Sequence, residues 1–542
     1  MRRFLSVAAV ALILAGACSS DDDASPTTEA SGDVGLAAEV ELDDGHALVG
    51  RLTVDADEAV APEIEVIGSE RSFEIPVEEA ATSHELPVAG LRAEQDYRVV
   101  VRAGDEEVDL DLQTGKLPFE LPLSVETADA ERMSDGFTMF NLLRGGDLLD
   151  PGDPELAEGE EPPPAGLLVA VDADGEVVWY HQTPHPIGDV RPLSDGRILH
   201  EYNDTGARII DLLGETQQEW AGEIVLGPLE IDEHGRRVAG DDAVEVAVDS
   251  MHHEVARLPD GNMLTISTEV RTYDGFDEPL CDEAAGEFDG SYELIVDVIV
   301  EYTPDGEIVA EYPLADYFDP VNEARDQNVC GLPFADVFPN WLYAFQGNDD
   351  ARDWTHANGV VPSPDGEALT VSVRHLSAVL QIDRETGELL WRFGPDGDFE
   401  IDDPADFSYY QHAPEWQDDG TLLLYDNGNN RPPADEPDYS RAARYRLDPE
   451  AGTVEQVWSY TSQVDGEPAF APFVGDADML ENGNVLITNG GYQGRDDGIT
   501  AQLVEVVPDG AEGGDVVFEA RLDDPEVGYI VYRAERVPTF YP

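Results

Sequence analysis

Two short units recur along most of the chain, and they restrict its fold more than any other feature. The first is an Asp-Gly or Asn-Gly turn followed by an apolar strand, as in "DGRIL" at residue 195, "DGNML" at 260, "DGEAL" at 365, "DGTLL" at 419 and "NGNVL" at 482. Such dipeptides favour tight β-hairpin turns. The second unit is a turn and a strand that ends in an aromatic residue, and its six copies carry Trp179, Trp220, Tyr312, Trp391, Trp458 and Phe518.

These repeats predict an all-β chain with two parts. Six copies with almost no helical periodicity between them indicate a six-bladed β-propeller over residues 121–542. Two stacked β-sandwiches are the alternative. Residues 36–120 carry shorter alternating runs such as "YRVVVRAG", which predict a small fibronectin- or Ig-like β-sandwich before the propeller.

The N-terminus has the pattern of an exported protein. Residues 1–17 place two arginines before an apolar run, which is typical of a secretory signal and too short for a membrane-spanning helix. The segment "LAGAC" resembles a bacterial lipobox and predicts lipidation of Cys18, followed by a disordered acidic tether over residues 18–35. We therefore expect a lipid-anchored protein at the cell surface or in the periplasm. A plain signal peptide cut near Ala17 is the alternative.

Charge excludes some partners. The chain has a net charge of −87 and a single lysine, Lys116. A surface of this kind repels nucleic acid and anionic membranes, so we expect membrane contact through the lipid anchor only. The acidic surface also indicates a salty habitat.

Two cysteines remain after Cys18, and neither has a metal-like spacing. Cys281 and Cys330 belong to a chain directed to an oxidising compartment, so a disulfide between them is the default expectation.

Several histidines fall at matching positions before the hairpin turns. Counted back from the turn residue, His253, Asn358 and His412 each lie seven positions earlier, and His356 lies nine earlier. Side chains alternate along a strand, so these four share one face if the inner strands are free of bulges. His252 would then pack between sheets, and a single bulge would exchange the two neighbours. His253 is therefore preferred over His252 for the channel.

The sequence places one arginine inside a predicted apolar strand. Arg374 in "VSVRHLSAVLQID" needs a partner if it is buried. Either a bound anion or a salt bridge to a carboxylate would supply that partner.

Longer motifs resemble a known family. "DWTHANGVVPSPDGEALTVSVRHLSAVLQID", "QHAPEWQDDGTLLLYDNGNNRP" and "LENGNVLITNGG" resemble the bacterial arylsulfate sulfotransferases over most of residues 125–542. The resemblance implies a six-bladed propeller without a cofactor that moves a sulfuryl group from an aryl sulfate to a phenol.

The resemblance also implies roles for individual residues. His412 would be the nucleophile that carries a transient sulfohistidine in a ping-pong cycle, and Arg374 the arginine of the channel. His356 and Asn358 match an "HxN" pair, with His356 catalytic and Asn358 binding substrate. His253, with His252 as the substitute candidate, matches the remaining histidine. Imidazole is a competent nucleophile at neutral pH, and a loose transition state needs positive charge on its oxygens, so the residue types agree with this chemistry.

Three other functions compete with this interpretation. Three histidines could bind zinc in a propeller hydrolase, although Arg374 and Asn358 are poor companions for a cation, so no metal is expected. A lipid-tethered propeller that binds anionic aromatic ligands without turnover is the non-enzyme alternative. A quinone-cofactor propeller usually has a more regular tryptophan motif than the one seen here.

Overall fold

The computed structural model describes residues 34–144, 165–231, 236–280, 288–324, 351–434, 436–493, 499–522 and 528–541. Within these ranges the protein is nearly all β, with antiparallel sheets, which confirms the predicted all-β class. None of the described helices is both long and apolar enough to cross a membrane. Cys18, Cys281 and Cys330 lie outside the described residues, so the lipid anchor and the disulfide stay predictions.

The first seven strands form two sheets that share a core. One sheet contains β1 (Ala37–Leu42), β2 (Gly50–Val60) and β5 (Ala81–Val88), and the other contains β3 (Glu63–Ile67), β4 (Ser72–Ile75), β6 (Asp96–Ala103) and β7 (Glu106–Gln113). Leu52 of the first sheet and Val66 and Val99 of the second are fully buried in one apolar cluster. The Tyr97 hydroxyl accepts a hydrogen bond from the backbone N–H of Arg92 at 2.8 Å.

Six further sheets follow along the described chain, which we number I to VI. Sheet I contains β9 (Phe137–Arg144), β10 (Gly166–Val171) and β11 (Val177–Thr183); sheet II β12 (Val190–Pro192), β13 (Ile198–Tyr202), β14 (Gly206–Ile210), β15 (Thr216–Gly222) and β16 (Val244–Val246); sheet III β17 (His252–Arg257), β18 (Met263–Asp274), β19 (Ser291–Tyr302), β20 (Ile308–Pro313) and β21 (Arg352–Asp353). Sheet IV contains β22 (Ala357–Pro362), β23 (Ala368–Val373), β24 (Ala378–Asp383) and β25 (Leu389–Phe393); sheet V β26 (His412–Trp416), β27 (Leu422–Asp426), β28 (Arg441–Asp448) and β29 (Thr453–Tyr460); sheet VI β32 (Asp476–Met479), β33 (Val485–Gln493), β34 (Ile499–Pro508) and β35 (Gly514–Leu522). The strands β30 (Gln463–Val464) and β31 (Glu467–Pro468) form a separate hairpin.

Both ends of this region complete sheets built by the other end. The early strand β8 (Leu123–Ala128) pairs antiparallel with β35 at the outer edge of sheet VI. The late strands β36 (Tyr529–Ile530) and β37 (Ala534–Val537) pair with β9 of sheet I. The inner strands β37, β12, β17, β22, β26 and β32 contact one another in this order, and β33 contacts β37, which closes a ring.

Helices are short and lie in the connections between strands. The described α-helices are α1 (Glu223–Leu226) and α2 (Pro320–Glu323), and three 3₁₀ turns cover Leu314–Asp316, Arg374–Leu376 and Pro404–Asp406. The expectation that Arg374 lies inside a strand is wrong, because Arg374 begins the 3₁₀ turn that follows directly on β23.

The six aromatic residues of the sequence repeat all lie on the last strand of the main run of their sheets, and all are buried. Four of them donate a side-chain hydrogen bond to a backbone carbonyl in the turn between the third and fourth strands of the following sheet. These bonds join Trp179 to Leu212 at 2.9 Å, Trp220 to Pro304 at 2.9 Å, Tyr312 to Arg384 at 2.6 Å and Trp458 to Gly513 at 3.0 Å. The aromatic repeat therefore marks positions where the last strand of one sheet is hydrogen-bonded to the following sheet.

Candidate active site

Three neighbouring inner strands, β17, β22 and β26, carry most of the candidate residues, and each has a bulge near its start. The register shifts fall between His252 and Val255, between Ala357 and Gly359, and between His412 and Glu415. The assumption of regular inner strands is therefore wrong. The chain turns as it enters these strands, and the turn uses left-handed residues at His253 (φ 60°) and His356 (φ 49°). Residues with this backbone conformation change the direction of the side chains at the start of a strand.

His252 and His253 point to different surroundings despite the bulge. The His253 ring centre lies 5.0 Å from that of His356 and 5.7 Å from that of Tyr532. His252 Nε2 lies 3.2 Å from Asp297 Oδ1, and both side chains are buried. His253 therefore lies among the other candidate residues, and His252 packs against β19, with the two Nδ1 atoms 2.7 Å apart.

His356 is held by a carboxylate. Its Nδ1 lies 2.5 Å from Asp353 Oδ2, and its ring stacks on that of His375 with 4.6 Å between centres. Asp353 lies in β21 and is 7% exposed. The bond to Asp353 fixes the ring of His356 and directs its Nε2 away from the carboxylate.

His412 is held by an amide. Its Nδ1 lies 2.6 Å from Asn427 Oδ1, and the Asn427 Nδ2 donates to the backbone carbonyls of Ala471 and Val474 at 2.8 Å each. These two bonds fix the orientation of the Asn427 amide, so the atom facing His412 is an oxygen. His412 Nδ1 must then carry the hydrogen, and its Nε2 keeps a lone pair.

Asn358 supports the segment that enters β26. Its Nδ2 donates to the carbonyl of Gln411 at 2.8 Å, and its own carbonyl accepts from the Tyr532 hydroxyl at 3.0 Å. Asn358 is fully buried, and its Oδ1 accepts no hydrogen bond from the described residues. The side chain thus positions the residue before His412 and offers one acceptor.

Arg374 is a buried cation without a carboxylate partner among the described residues. It is 5% exposed, donates to the Pro472 carbonyl at 2.6 Å and lies over the Tyr410 ring, 5.0 Å from its centre. Burial lowers the pKa of Arg374 to about 10, which leaves it charged at neutral pH. The salt-bridge alternative is therefore not realised within the described ranges, and the guanidinium is available to an anion.

Burial keeps two of the imidazoles neutral. It holds the pKa of His412 well below its ordinary value, and the nearby charge of Arg374 lowers it further. The pKa of His253 is lowered in the same way, by burial and by the neighbouring histidines. A neutral His412 near a positive charge suits nucleophilic attack on an anionic group.

Two clusters have the ligand spacing of a metal site. Ligand atoms of Asp353, His356 and His375 lie within 4.8 Å of one another, as do those of Asp476, Asp478 and Glu535. The first cluster is made of the residues described above, and the Asp353 oxygen in it already bonds His356 Nδ1.

The carboxylates of the second cluster border a cavity of about 310 Å³ lined also by Ala413, Arg191 and Arg533. Arg533 reaches Asp476 at 3.2 Å, and Arg191 reaches Glu535 at 3.0 Å. Two of the three carboxylates, those of Asp476 and Glu535, therefore already have an arginine partner.

Three residues that contact the candidate residues were not predicted from the sequence. Asp353 and Asn427 belong to the segments "DWTHANGVV" and "LLLYDNG", so their proximity to histidines in these motifs was the available signal. Tyr532 contacts His253, His412 and Asn358 from the far end of the chain, and no local pattern marks it.

Buried imidazoles beside a guanidinium that pairs with no carboxylate among the described residues form a candidate anion-binding site in an all-β protein. A profile of the family described as Arylsulfotransferase (ASST) matches residues 124–533. The chain belongs to this family, which confirms the resemblance seen in its motifs.

Individual relatives match over shorter segments. The chain is 26% identical over 243 residues to the arylsulfate sulfotransferase AssT of Escherichia coli O6:H1, covering 36% of this chain and 40% of that protein. It is 26% identical over 213 residues to AssT of Lelliottia amnigena, covering 31% and 35%. The chain thus spans less than half the length of these curated relatives. A crystal structure of a protein of unknown function from Bacteroides caccae matches at 16% identity and a TM-score of 0.36, covering 73% of this chain and 99% of that one, and a score this low supports no conclusion.

Proposed function

We propose that the protein is an arylsulfate sulfotransferase that moves a sulfuryl group from an aryl sulfate to a phenol through a sulfohistidine at His412. The observation that carries the proposal is the Asn427 bond, which leaves a lone pair on His412 Nε2, together with the uncompensated charge of Arg374. In the same proposal the six sheets are the blades of a β-propeller, residues 36–120 are a β-sandwich domain, and the protein is exported and lipid-anchored at Cys18.

The first half of the cycle makes the covalent intermediate. His412 Nε2 attacks sulfur while the bond from sulfur to the phenolic oxygen breaks, and an imidazolium donates its proton to the departing phenolate. Arg374 donates hydrogen bonds to the sulfuryl oxygens, where negative charge collects in a loose transition state. His253 adds a further donor near the same oxygens.

The second half reverses these steps with a new phenol. The neutral imidazole takes the phenol proton, the phenolate oxygen attacks sulfur, and the bond from sulfur to His412 Nε2 breaks. The first phenol leaves before the second arrives, which gives a ping-pong cycle. Saturation kinetics that require both phenols bound together would contradict this order.

Intact mass tests the proposal directly. Purified protein is mixed with excess p-nitrophenyl sulfate and no acceptor, beside His412→Ala and a control, His84→Ala, in the N-terminal strand β5. We expect the parent and the control to gain one sulfuryl group with a burst of nitrophenol, and His412→Ala to gain none. No mass change in the parent would refute the covalent transferase.

A metal-dependent hydrolase is the second candidate, because Asp353, His356 and His375 have ligand atoms within 4.8 Å of one another. It predicts tightly bound zinc or a similar ion in purified protein, and nitrophenol release without any sulfuryl label. A propeller that only binds anionic aromatic ligands would give neither label nor release.

A further inference from the structure

Two of the candidate histidines are held through the same ring nitrogen by chemically different acceptors. His356 Nδ1 meets a carboxylate oxygen of Asp353 at 2.5 Å, and His412 Nδ1 meets an amide oxygen of Asn427 at 2.6 Å. A carboxylate stabilises the protonated imidazolium, whereas a neutral amide fixes the tautomer without favouring the added proton. The two rings therefore differ in the charge of the group that holds Nδ1, which is negative for His356 and neutral for His412.

The surroundings of His356 agree with a proton-carrying role. Among the described residues Asp353 forms no ion pair with an arginine or lysine. Its charge faces His356 and, at 3.7 Å, His375 Nδ1, and at longer range it raises the pKa of Arg374. His375 stacks on the ring and His253 lies edge-on at 5.0 Å, and burial lowers the pKa of both well below the ordinary value. Asp204 is the other acid near this ring, and burial raises its pKa to about 6.

The surroundings of His412 favour the neutral ring. Arg374 is the nearby charge, and it disfavours an imidazolium. The Tyr532 ring centre lies 6.4 Å away, and the Asn427 amide and the Tyr410 backbone hydrogen-bond the imidazole. His356 is the other titratable group that acts on His412, and it lowers the pKa further. No carboxylate among the described residues pairs with His412.

We propose that Asp353 and Asn427 are positioning residues that divide the reaction between two histidines: Asp353 makes His356 the acid for the leaving phenolate, and Asn427 keeps His412 the nucleophile. The inference rests on the proposed function. The proton that reaches the phenolate oxygen leaves His356 Nε2, and the same nitrogen later takes the proton of the incoming phenol, so the cycle balances without another reactant.

The test compares aryl sulfates whose phenols differ in acidity. Asp353→Asn keeps the shape but removes the charge, so it should lower kcat/KM less for p-nitrophenyl sulfate, whose phenolate needs less help in leaving, than for an aryl sulfate with a more basic phenolate. The same variant should slow 4-methylphenyl sulfate by about 100-fold, the usual contribution of a general acid. An unfolding midpoint equal to that of the parent shows that the variant is folded. An equal loss on both substrates, or no loss on either, would overturn the role of Asp353.

Asn427→Asp provides the matched opposite change. A carboxylate beside His412 should stabilise its imidazolium, so the acid limb of the kcat/KM profile moves to higher pH while the dependence on the leaving phenol stays as in the parent. An unchanged pH profile would overturn the role of Asn427. Mass labelling of the parent distinguishes failure of the proposed function from failure of this inference. A parent that gains no sulfuryl group refutes the proposed function. A labelled parent, together with an Asp353→Asn variant whose loss of rate does not depend on the leaving phenol, refutes only this inference.

Discussion

Replacing Arg374 by methionine tests how much of the rate comes from one buried charge. Methionine keeps an apolar side chain over Tyr410 but removes the guanidinium, which is 5% exposed and pairs with no carboxylate among the described residues. Removing one donor to developing negative charge costs about 100- to 1,000-fold in kcat, or roughly 3–4 kcal/mol. Because the guanidinium is not already neutralised, we expect a loss at the upper end of this range.

The same change should alter the pH dependence in a defined direction. Arg374 lowers the pKa of His412, so its removal raises that pKa, and protonation of the nucleophile begins at higher pH. The variant should therefore lose more activity at about pH 6 than at about pH 8, where His412 is neutral in both proteins.

Initial rates of nitrophenol release with saturating phenol measure both effects. Arg446→Met is the matched control, because Arg446 is 55% exposed and its ion-pair partner among the described residues is the exposed Glu455, at 3.6 Å. The control should stay within about twofold of the parent, as an exposed pair contributes little. If Arg374→Met kept its kcat/KM within about threefold of the parent at both pH values, the assignment of Arg374 to the sulfuryl group would be refuted.

Three further outcomes are expected. Burial raises the pKa of Glu535 from 4.5 to about 7, so ionisation of Glu535 lowers the free energy of unfolding as pH rises from about 4.5 to 7. In denaturant unfolding, the stability of Glu535→Gln relative to the parent should increase over this pH range. A difference that does not depend on pH would contradict this. With a net charge of −87, the parent should show kcat/KM for p-nitrophenyl sulfate that rises with ionic strength to a plateau, and a steady fall in folded protein would count against it. Extensive dialysis against a chelator should leave turnover unchanged, whereas a loss restored by zinc would favour the hydrolase at Asp353, His356 and His375.

Local chemistry explains what the sequence predicted well. Asp-Gly and Asn-Gly turns and period-two strands are read from neighbouring residues, so the nearly all-β class was accessible without a structure. The aromatic repeat was recognisable for the same reason, although its physical role, a bond to the turn of the following sheet, became clear only from contacts such as Trp179 to Leu212.

The candidate site depended on local motifs only in part. His356, Asn358 and His412 stand in regular spacing to turns, so one strand period was enough to single them out. The bulges were not accessible, because left-handed residues such as His253 and His356 are not glycines and leave no mark in composition. Their effect on side-chain direction follows from how the chain enters each sheet.

By itself, then, the sequence determined the strand content, the turn positions, the family and the identity of the candidate histidines and arginine. Only the tertiary structure decided which acceptor holds each ring and that Tyr532 lies among them, since its bond to Asn358 spans 174 positions. Closure by β37 on β9 likewise joins the two ends of the region. The physical reason is that hairpin and strand preferences act between near neighbours, whereas the protonation state of a histidine is set by whichever distant groups the folded sheets bring beside it.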